Sequence, residues 1–425
     1  MIVVVAFVVM LLIGVPIAFL LGLTGIIHMF TLGNAQYFGA IINRMLGGVN
    51  STGLTAIPFF IIAGEIMNEG GVTKRIFNFF RELVISIRGG LAYTVVVVAA
   101  VLAAILGSAN AVSSILCKVA IPEMKKDGYK EEFSGSLIAA SGVLGPIIPP
   151  STTFVYYSVL TDVSVKGLFM AGIMPGILIA VGFIAIIWVQ GKIFKVYPEP
   201  SNKFSLKRVT KAFIEAIPAL MIPIVMMGGI IAGIFTPTES ASVAIVAAIM
   251  VGMIYKTLDL KKLPRALINA GTTAAALLLI VAFGNIISWT LAVAGVKDIV
   301  IGTMLSITRN RYLLLFMVIV MMMAVGCVMD ATAAMLVFIP VLTPVADLLG
   351  LNPIHFGVIY CLLITIGLVT PPVGMTLFVT SNVSGIEFSK ICRAVIPFAA
   401  VAIVITVILA YMPSVVMFIP NLLGI

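Results

Sequence analysis

Long apolar runs recur along the whole chain, and they constrain its fold more than any other feature of the sequence. They fall at roughly 2–30, 52–69, 91–117, 133–160, 168–191, 216–236, 239–255, 266–290, 313–343, 355–384 and 394–420. Many reach 18 residues or more, the length that crosses a bilayer as a helix. Because only 10% of the 425 residues are charged, a soluble fold would lack the polar surface to cover itself. We predict an all-α polytopic membrane protein with no separate soluble domain.

The basic residues predict how the chain is oriented. We place the N-terminus in the cytoplasm and let 91–117 and 313–343 each enter and leave on one side. Five of the 25 basic residues then lie outside, and the other 20 are cytoplasmic. The five are Arg44, Lys166, Lys297, Arg309 and Arg311. This is the bias expected of cytoplasmic loops. It accounts for the net charge of +9 without a nucleic-acid partner, and it leaves no Lys or Arg in the hydrocarbon.

The same rule predicts a re-entrant hairpin at 91–117. If this segment crossed completely, Lys118 to Lys130 would move outside and every later loop would invert, which would spoil the charge bias. The rule constrains 313–343 less. The first apolar run, of about 29 residues from Ile2, is too long for the apolar part of a signal peptide. We therefore expect no cleaved leader.

The chain contains a repeat with a fixed offset. A shift of 222 residues aligns 107–175 with 329–397 without a gap. Identical pairs include Ala109/Ala331, Ala111/Ala333, Val119/Val341, Pro122/Pro344, Gly128/Gly350, Gly135/Gly357, Gly145/Gly367, Pro149/Pro371, Pro150/Pro372 and Pro175/Pro397. Most are Gly and Pro, which fix backbone shape. With the predicted topology the copies are inverted, an architecture of secondary transporters whose site lies at the repeat interface.

Each copy contains a hairpin turn rich in small and polar residues. The first runs from Gly107 to Ser114 and the second from Gly326 to Thr332. Asp330 is a carboxylate deep inside the second hairpin, where a charge is costly unless it is partnered. It is either the N-cap of the following half-helix or a cation ligand, and these two roles are compatible.

Each copy also contains a Pro-Pro pair inside an apolar segment. Pro149 and Pro150 deprive the carbonyls of Gly145 and Pro146 of helical partners, and Pro371 and Pro372 do so for Gly367 and Leu368. Such carbonyls are tolerated in a membrane only where they are buried or face a cavity. Together with the hydroxyls of Ser108, Thr152, Thr332 and Thr370, they form oxygen sites suited to Na⁺. The half-helix after each break could hold a substrate carboxylate without an arginine.

Other polar features have structural interpretations. Glu239, in the connection GIFTPTESA at 233–241, is interpreted as a first-turn acid on a helix dipole. Glu65 and Glu69 are interpreted as interfacial. Residues 72–90 and, more weakly, 296–312 are amphipathic, as in interfacial helices. They are either arms that join a moving unit to a fixed one or plain interfacial anchors.

Six motifs together resemble the large membrane subunit of the TRAP transporters, the tripartite ATP-independent periplasmic family. They are IPFFIIAGEIM at 57–67, GSANAVSSI at 107–115 with IPEM at 121–124, GPIIPPS at 145–151, GIFTPTESA at 233–241, MDATAAMLVFIPVLTPV at 329–345 and GLVTPPVGMTLFV at 367–379. The resemblance covers essentially the whole chain, and its details look closest to the sialic-acid branch.

The resemblance implies a Na⁺-driven elevator in the bacterial inner membrane. Scaffold helices would occupy 1–90 and 192–312, each ending in an arm. The transport domain would consist of 91–191 and 313–425. The implied partners are a small membrane subunit and a periplasmic substrate-binding protein that delivers a carboxylated solute, with sialic acid as the best guess.

At least two Na⁺ sites follow from the same resemblance. The first falls on the turn around Ser108 and Asn110 with the break from Gly145 through Pro146 to Pro149. The second falls on Asp330 and Thr332 with the break from Gly367 through Thr370 to Pro371. The substrate should lie between them, near the hydroxyl residues Ser151, Thr152 and Thr376.

The sequence also admits other solutes and other classes of protein. The solute could instead be a C4-dicarboxylate or another organic acid, or the chain could be a stand-alone Na⁺-carboxylate symporter. A membrane enzyme is disfavoured because the chain has no HExxH, no DDxxD and no Gly-x-Ser-x-Gly elbow placed on a helix. A channel would need a continuous polar pore, whereas the polar residues cluster at two breaks.

Overall fold

A computed structural model of the chain describes residues 2–33, 36–51, 53–193, 197, 204–259 and 262–425. Its helices, in chain order, are α1 Ile2–Leu12, α2 Ile17–Leu32, α3 Gln36–Val49, α4 Ala56–Glu69, α5 Val72–Val84, α6 Gly90–Leu106, α7 Ala109–Lys126, α8 Glu131–Gly142, α9 Thr152–Thr161, α10 Val165–Ile193, α11 Leu206–Ile231, α12 Pro237–Ile254, α13 Lys262–Val293, α14 Val296–Ile307, α15 Arg311–Val328, α16 Ala331–Leu348, α17 Pro353–Gly367, α18 Met375–Ser384, α19 Phe388–Tyr411, α20 Pro413–Val416 and α21 Phe418–Leu422.

The prediction of an all-α polytopic membrane protein is confirmed. No strand occurs in the described ranges. Within the part of the chain that the structure describes, seven helices are long and apolar enough to cross a membrane, namely α10, α11, α12, α13, α15, α16 and α19. Bundles of such helices span bilayers because every backbone polar group is satisfied within its own helix.

The first apolar run differs from the sequence-based segment at 2–30. It forms two helices, α1 and α2, which are separated at Ile13 to Pro16. Gly14 has a φ of +83°, in the left-handed region that glycine tolerates, and Pro16 lacks the N–H that would continue the helix. No apolar segment was predicted at 36–49, where α3 lies. The last segment, at 394–420, is divided among α19, α20 and α21.

The helix boundaries recur with the offset found in the sequence. Adding 222 to the bounds of α7 gives those of α16. The pairs α6 and α15, α8 and α17, α9 and α18, and α10 and α19 agree to within a few residues. The repeated Gly and Pro residues therefore stop and start helices at equivalent points. The opposite orientation of the two copies in a membrane stays a prediction.

The two copies pack reciprocally. The helix after the first hairpin turn, α7, packs against α18, and its counterpart α16 packs against α9. In the same way α8 packs against α19 and α17 against α10. Each broken segment therefore lies against elements of the other copy.

The remaining long helices pack mainly against one another. The central helix is α13, which contacts α2, α3 and α4, while α12 packs against α4 and α11 against α5. Contact with the repeated elements includes that between α13 and α16. The structural interpretation of Glu239 is confirmed, because its carboxylate accepts a hydrogen bond of 2.8 Å from the backbone N–H of Thr236 and completes a capping box at the start of α12.

Candidate functional site

Both hairpin turns bring a helix N-terminus to the same region. In the first, Gly107 has a φ of +61° and extended Ser108 precedes α7. In the second, Asp330 is the N-cap of α16, where its Oδ1 accepts a hydrogen bond of 2.9 Å from the backbone N–H of Thr332. The capping role considered for Asp330 is therefore real, and its half-buried carboxylate still lines a cavity.

Both predicted helix breaks are confirmed. The backbone is unwound between α8 and α9, at 143–151, and between α17 and α18, at 368–374. Each break contains a Pro-Pro pair with a cis peptide bond, Pro149-Pro150 and Pro371-Pro372. Ser151 then caps α9, since its hydroxyl accepts a hydrogen bond of 3.2 Å from the backbone N–H of Phe154.

Three of the four carbonyls predicted to lose their helical partners accept hydrogen bonds from other donors. The carbonyl of Pro146 accepts from the hydroxyl of Ser151. Those of Gly367 and Leu368 accept from the backbone N–H groups of Thr370 and Thr376, both at 3.0 Å. A carbonyl oxygen has two lone pairs, so each of the three retains one for a further partner. The helical partners are absent, as predicted, but these three carbonyls are not left without a donor.

The breaks contact the hairpin turns through backbone and glycine. The Thr152 hydroxyl donates to the Gly107 carbonyl at 2.7 Å, and the backbone N–H of Gly374 donates to the Cys327 carbonyl at 3.1 Å. A Cβ on Gly145 would lie 2.6 Å from the Ser108 carbonyl oxygen. Only glycine permits so close an approach.

These elements enclose a cavity of about 440 Å³. Residues predicted for the Na⁺ and substrate sites line it from both copies, namely Ser108, Asn110, Pro146, Thr152, Asp330 and Thr332. The cavity thus brings together residues as far apart in the chain as Ser108 and Thr332, which are separated by 224 positions.

The other predicted site residues lie outside the cavity lining. The Thr376 hydroxyl donates a hydrogen bond of 3.1 Å to the Asn110 side-chain oxygen, which links the two copies. Gly145 and Ser151 are buried in the first break. Next to the second break, Gly367 at the end of α17 packs on Gly326, and the Thr370 hydroxyl donates to the Ile366 carbonyl at 2.8 Å.

Several cavity residues were missed or misread from the sequence. Asn68 on α4 and Thr273 on α13 face it, and so does Glu65, which was interpreted as interfacial. Tyr156 on α9 also lines it and is only 3% exposed. No hydrogen-bond partner for its hydroxyl was found among the residues that the structure describes. From the sequence alone, a single polar residue in an apolar helix does not indicate which face of that helix lines a cavity.

Lys118 corrects the predicted loop assignment. The apolar segment was ended at Cys117, but α7 continues to Lys126, so Lys118 lies within the helix. It is exposed and lines the same cavity. Because α7 advances about 1.5 Å per residue, Lys118 lies roughly 12 Å beyond Asn110. The cavity therefore has a cationic side chain toward the predicted cytoplasmic end.

The lining suits the binding of a small cation beside a polar organic molecule. Asp330 supplies one negative charge, while Ser108, Thr332 and the break carbonyls supply neutral oxygens. Hard cations prefer such oxygen ligands. The N-terminus of α7, at Ala109 and Asn110, also borders this cavity, and no side chain caps it. Such an N-terminus favours an anionic group.

Comparison with known proteins identifies close relatives along the whole chain. The family described as "Tripartite ATP-independent periplasmic transporter, DctM component" matches residues 4–415. A putative TRAP transporter large permease protein of Haemophilus influenzae is 35% identical over 96% of this chain and 95% of that protein. The C4-dicarboxylate TRAP transporter large permease protein DctM of Rhodobacter capsulatus is 34% identical, covering 98% and 97%.

A third relative is named for a different solute. The sialic acid TRAP transporter large permease protein SiaM of Vibrio cholerae is 32% identical over 96% of this chain and 95% of that protein. All three relatives are transporter permeases and not enzymes. Among solved structures, the YdaH transporter of Alcanivorax borkumensis has a similar fold, with a TM-score of 0.61, 12% identity and coverage of 88% and 87% of the two chains.

Proposed function

This chain belongs to the DctM component family of tripartite ATP-independent periplasmic transporters, and we propose that it couples Na⁺ entry to the uptake of a carboxylated organic solute. The resemblance found in its motifs is thereby confirmed. It is a multi-pass large permease of the bacterial inner membrane. The proposal rests above all on one observation, the convergence of both hairpin turns and both broken segments on the cavity that contains Asp330.

Na⁺ is proposed at two positions, one in each copy. The first uses the turn around Ser108 and Asn110 with the break at Gly145 and Pro146. The second uses Asp330 and Thr332 with the break at Gly367 and Thr370. The backbone contact between Gly145 and Ser108 supports the first pairing, and that between Gly367 and Gly326 supports the second. Each break is thereby held next to the hairpin of its own copy.

The solute is proposed to lie between these positions. Thr152 faces the cavity directly, while Ser151 and Thr376 lie behind it and orient neighbouring groups. Helix N-termini favour a carboxylate, and Lys118 adds a positive charge at the predicted cytoplasmic end. Sialic acid is our first candidate; a C4-dicarboxylate or another organic acid is the alternative.

We propose that transport follows an elevator mechanism. The elements of 91–191 and 313–425 pack reciprocally and would form the moving transport domain, while those of 1–90 and 192–312 would form the scaffold. The cavity lies between the two groups, because α4 and α13 line one side of it. The amphipathic α5 and α14 would be the arms. Arg81 of α5 and Glu123 of α7 form an ion pair of 3.0 Å that joins the first arm to the hairpin.

A small membrane subunit and a periplasmic binding protein are the proposed partners, and reconstitution tests their requirement. Proteoliposomes with all three proteins should show saturable uptake of a labelled acid that stops when Na⁺ is omitted. Uptake by this chain alone would favour a stand-alone Na⁺-carboxylate symporter. Ohmic conductance would favour a channel, and uptake independent of Na⁺ would contradict the proposed coupling.

The first helix break should be required for Na⁺ coupling. Each proline disfavours a helix by about 3 kcal/mol, so Pro149→Ala with Pro150→Ala should allow 143–151 to rewind. We expect half-maximal uptake to require at least about tenfold more Na⁺, a shift of roughly 1.4 kcal/mol. Uptake rates measured across Na⁺ concentrations would show this.

Pro218→Ala is the matched control for the double substitution. Pro218 lies inside α11, which continues through it, so its removal closes no break. An unchanged Na⁺ dependence in the double variant, with normal folding, would contradict the proposed role of the first break.

A further inference from the structure

A second, smaller cavity of about 180 Å³ lies next to the one described above. Resting on the transport function proposed above, we propose that it is the scaffold's outer docking station for the organic acid. Ser51 and Asn285 of the scaffold would bind the polar groups of the acid when the transport domain faces the periplasm, while Tyr156, on the transport-domain helix α9, would contact the acid from the moving side. None of these three residues was among the predicted site residues.

The cavity is lined by neutral polar groups within an apolar wall. The other lining residues are Gly47, Gly48, Leu54, Val159, Leu160, Val281 and Leu336. The side-chain N–H of Asn285 donates to the Val281 carbonyl at 2.9 Å, which holds the amide in place and leaves its oxygen able to accept. A Cβ on Gly48 would overlap this amide. The absence of a side chain at Gly48 therefore makes room for the Asn285 carboxamide.

Tyr156 connects the two cavities. It lines both of them, and its buried hydroxyl has no hydrogen-bond partner in the described part of the chain. An unpaired buried hydroxyl costs free energy comparable to a lost hydrogen bond. This hydroxyl lies next to the cavity that contains Asp330. We therefore infer that a ligand forms a hydrogen bond with it during part of the transport cycle.

One face of α13 runs along both cavities. Thr273, Leu277, Val281 and Asn285 follow one another at intervals of four, so they form one row along the helix. Thr273 and Leu277 line the larger cavity, whereas Val281 and Asn285 line the smaller one. The row is polar at both ends and apolar in its middle.

The two polar ends are about 18 Å apart, since they are separated by twelve residues along the helix. The segments before and within α4 repeat the pattern, with Ser51 at one end and Asn68 at the other. The charge bias places the Asn68 end toward the cytoplasm and the Ser51 end toward the periplasm. The scaffold therefore offers hydrogen-bonding groups at two levels, and an apolar barrier separates them.

The proposal predicts that the two levels act in different states of the transporter. Asn285→Leu should lower the initial rate of uptake at limiting solute about tenfold or more, because the outer contact is lost. It should leave unchanged the binding of the same acid to permease that faces the cytoplasm. Thr273→Val should weaken that binding. The probe is whichever labelled acid, sialic acid or succinate, the wild-type complex takes up.

Matched controls separate this effect from damage to α13. Thr272→Val removes a neighbouring hydroxyl that is exposed and outside this row, and it should preserve both uptake and binding. Gly48→Ala should reproduce the effect of Asn285→Leu from the opposite wall, whereas Gly39→Ala on the same helix meets no atom within 4 Å and should be silent.

Two results would overturn the proposal. Wild-type uptake rates in Asn285→Leu would show that the outer contact is dispensable. Parallel loss of uptake and of binding to the cytoplasm-facing form would show that Asn285 supports the fold instead. Failure of the proposed transport function is recognised separately, because the wild-type complex would then take up neither acid with Na⁺ and the binding protein.

Discussion

Asp330→Asn is expected to abolish Na⁺-coupled uptake while the protein still folds. Asparagine is as good an N-cap as aspartate, so the variant keeps the hydrogen bond to the backbone N–H of Thr332 and removes only the negative charge. Loss of one partner from a buried charged contact costs about 2–5 kcal/mol, which corresponds to at least about a 30-fold loss. Uptake into proteoliposomes and Na⁺-dependent protection against unfolding would measure it.

The result can be separated from a general effect of changing an aspartate in this helix. Asp347→Asn removes an exposed carboxylate near the far end of α16 and should preserve uptake. Asp330→Ala would remove both charge and cap, so it should add a loss of stability of about 1 kcal/mol. If Asp330→Asn takes up solute normally with unchanged Na⁺ dependence, Asp330 is a cap only.

Gly367→Ala is expected to disrupt the proposed second Na⁺ site by separating the break from the hairpin. A Cβ on Gly367 would lie 2.5 Å from the Cα of Gly326 and 2.8 Å from its carbonyl oxygen. These are backbone atoms and cannot rotate away. Overpacking of this kind costs typically 1–3 kcal/mol, so we expect Na⁺ affinity to fall about 5- to 150-fold. Titration of Na⁺ in the binding and uptake assays would measure the shift.

Gly228→Ala provides the matched control for this steric effect. A Cβ at Gly228, in α11, meets no atom within 4 Å, and alanine favours a helix over glycine by about 0.5–1 kcal/mol. This control should be neutral or slightly stabilising. If Gly367→Ala keeps the wild-type Na⁺ affinity, then Na⁺ binding does not require the second break to pack closely on its hairpin.

The sequence was sufficient to predict the breaks, the hairpin turns and the repeat, because Gly and Pro impose backbone shape locally. Pro149 and Pro371 interrupt a helix whatever surrounds them, and a 222-residue offset requires no knowledge of packing. Asp330 could be identified from the sequence for a related reason, since a carboxylate within an apolar hairpin is costly without a partner.

Other site residues could not be identified because their role depends on which helix face meets which neighbour. Asn68 and Thr273 are ordinary polar residues until α4 and α13 are packed against the hairpins. The hydrogen-bond donors to the Pro146 and Leu368 carbonyls could not be predicted either. They are Ser151 and Thr376, which lie at or after the end of each break and fold back toward it. Division of 2–30 into two helices required weighing Gly14 and Pro16 against a strongly apolar run.

The reciprocal packing of the two copies has a consequence for biogenesis. Helix α7 is synthesised early, yet its packing partner α18 ends roughly 250 residues later. At translation rates of 5–20 residues per second, the Asn110 side chain is made on the order of tens of seconds before the Thr376 hydroxyl that donates to it. During that interval the Asn110 side-chain oxygen lacks this donor, so the contact between the two copies forms only after most of the chain has been made.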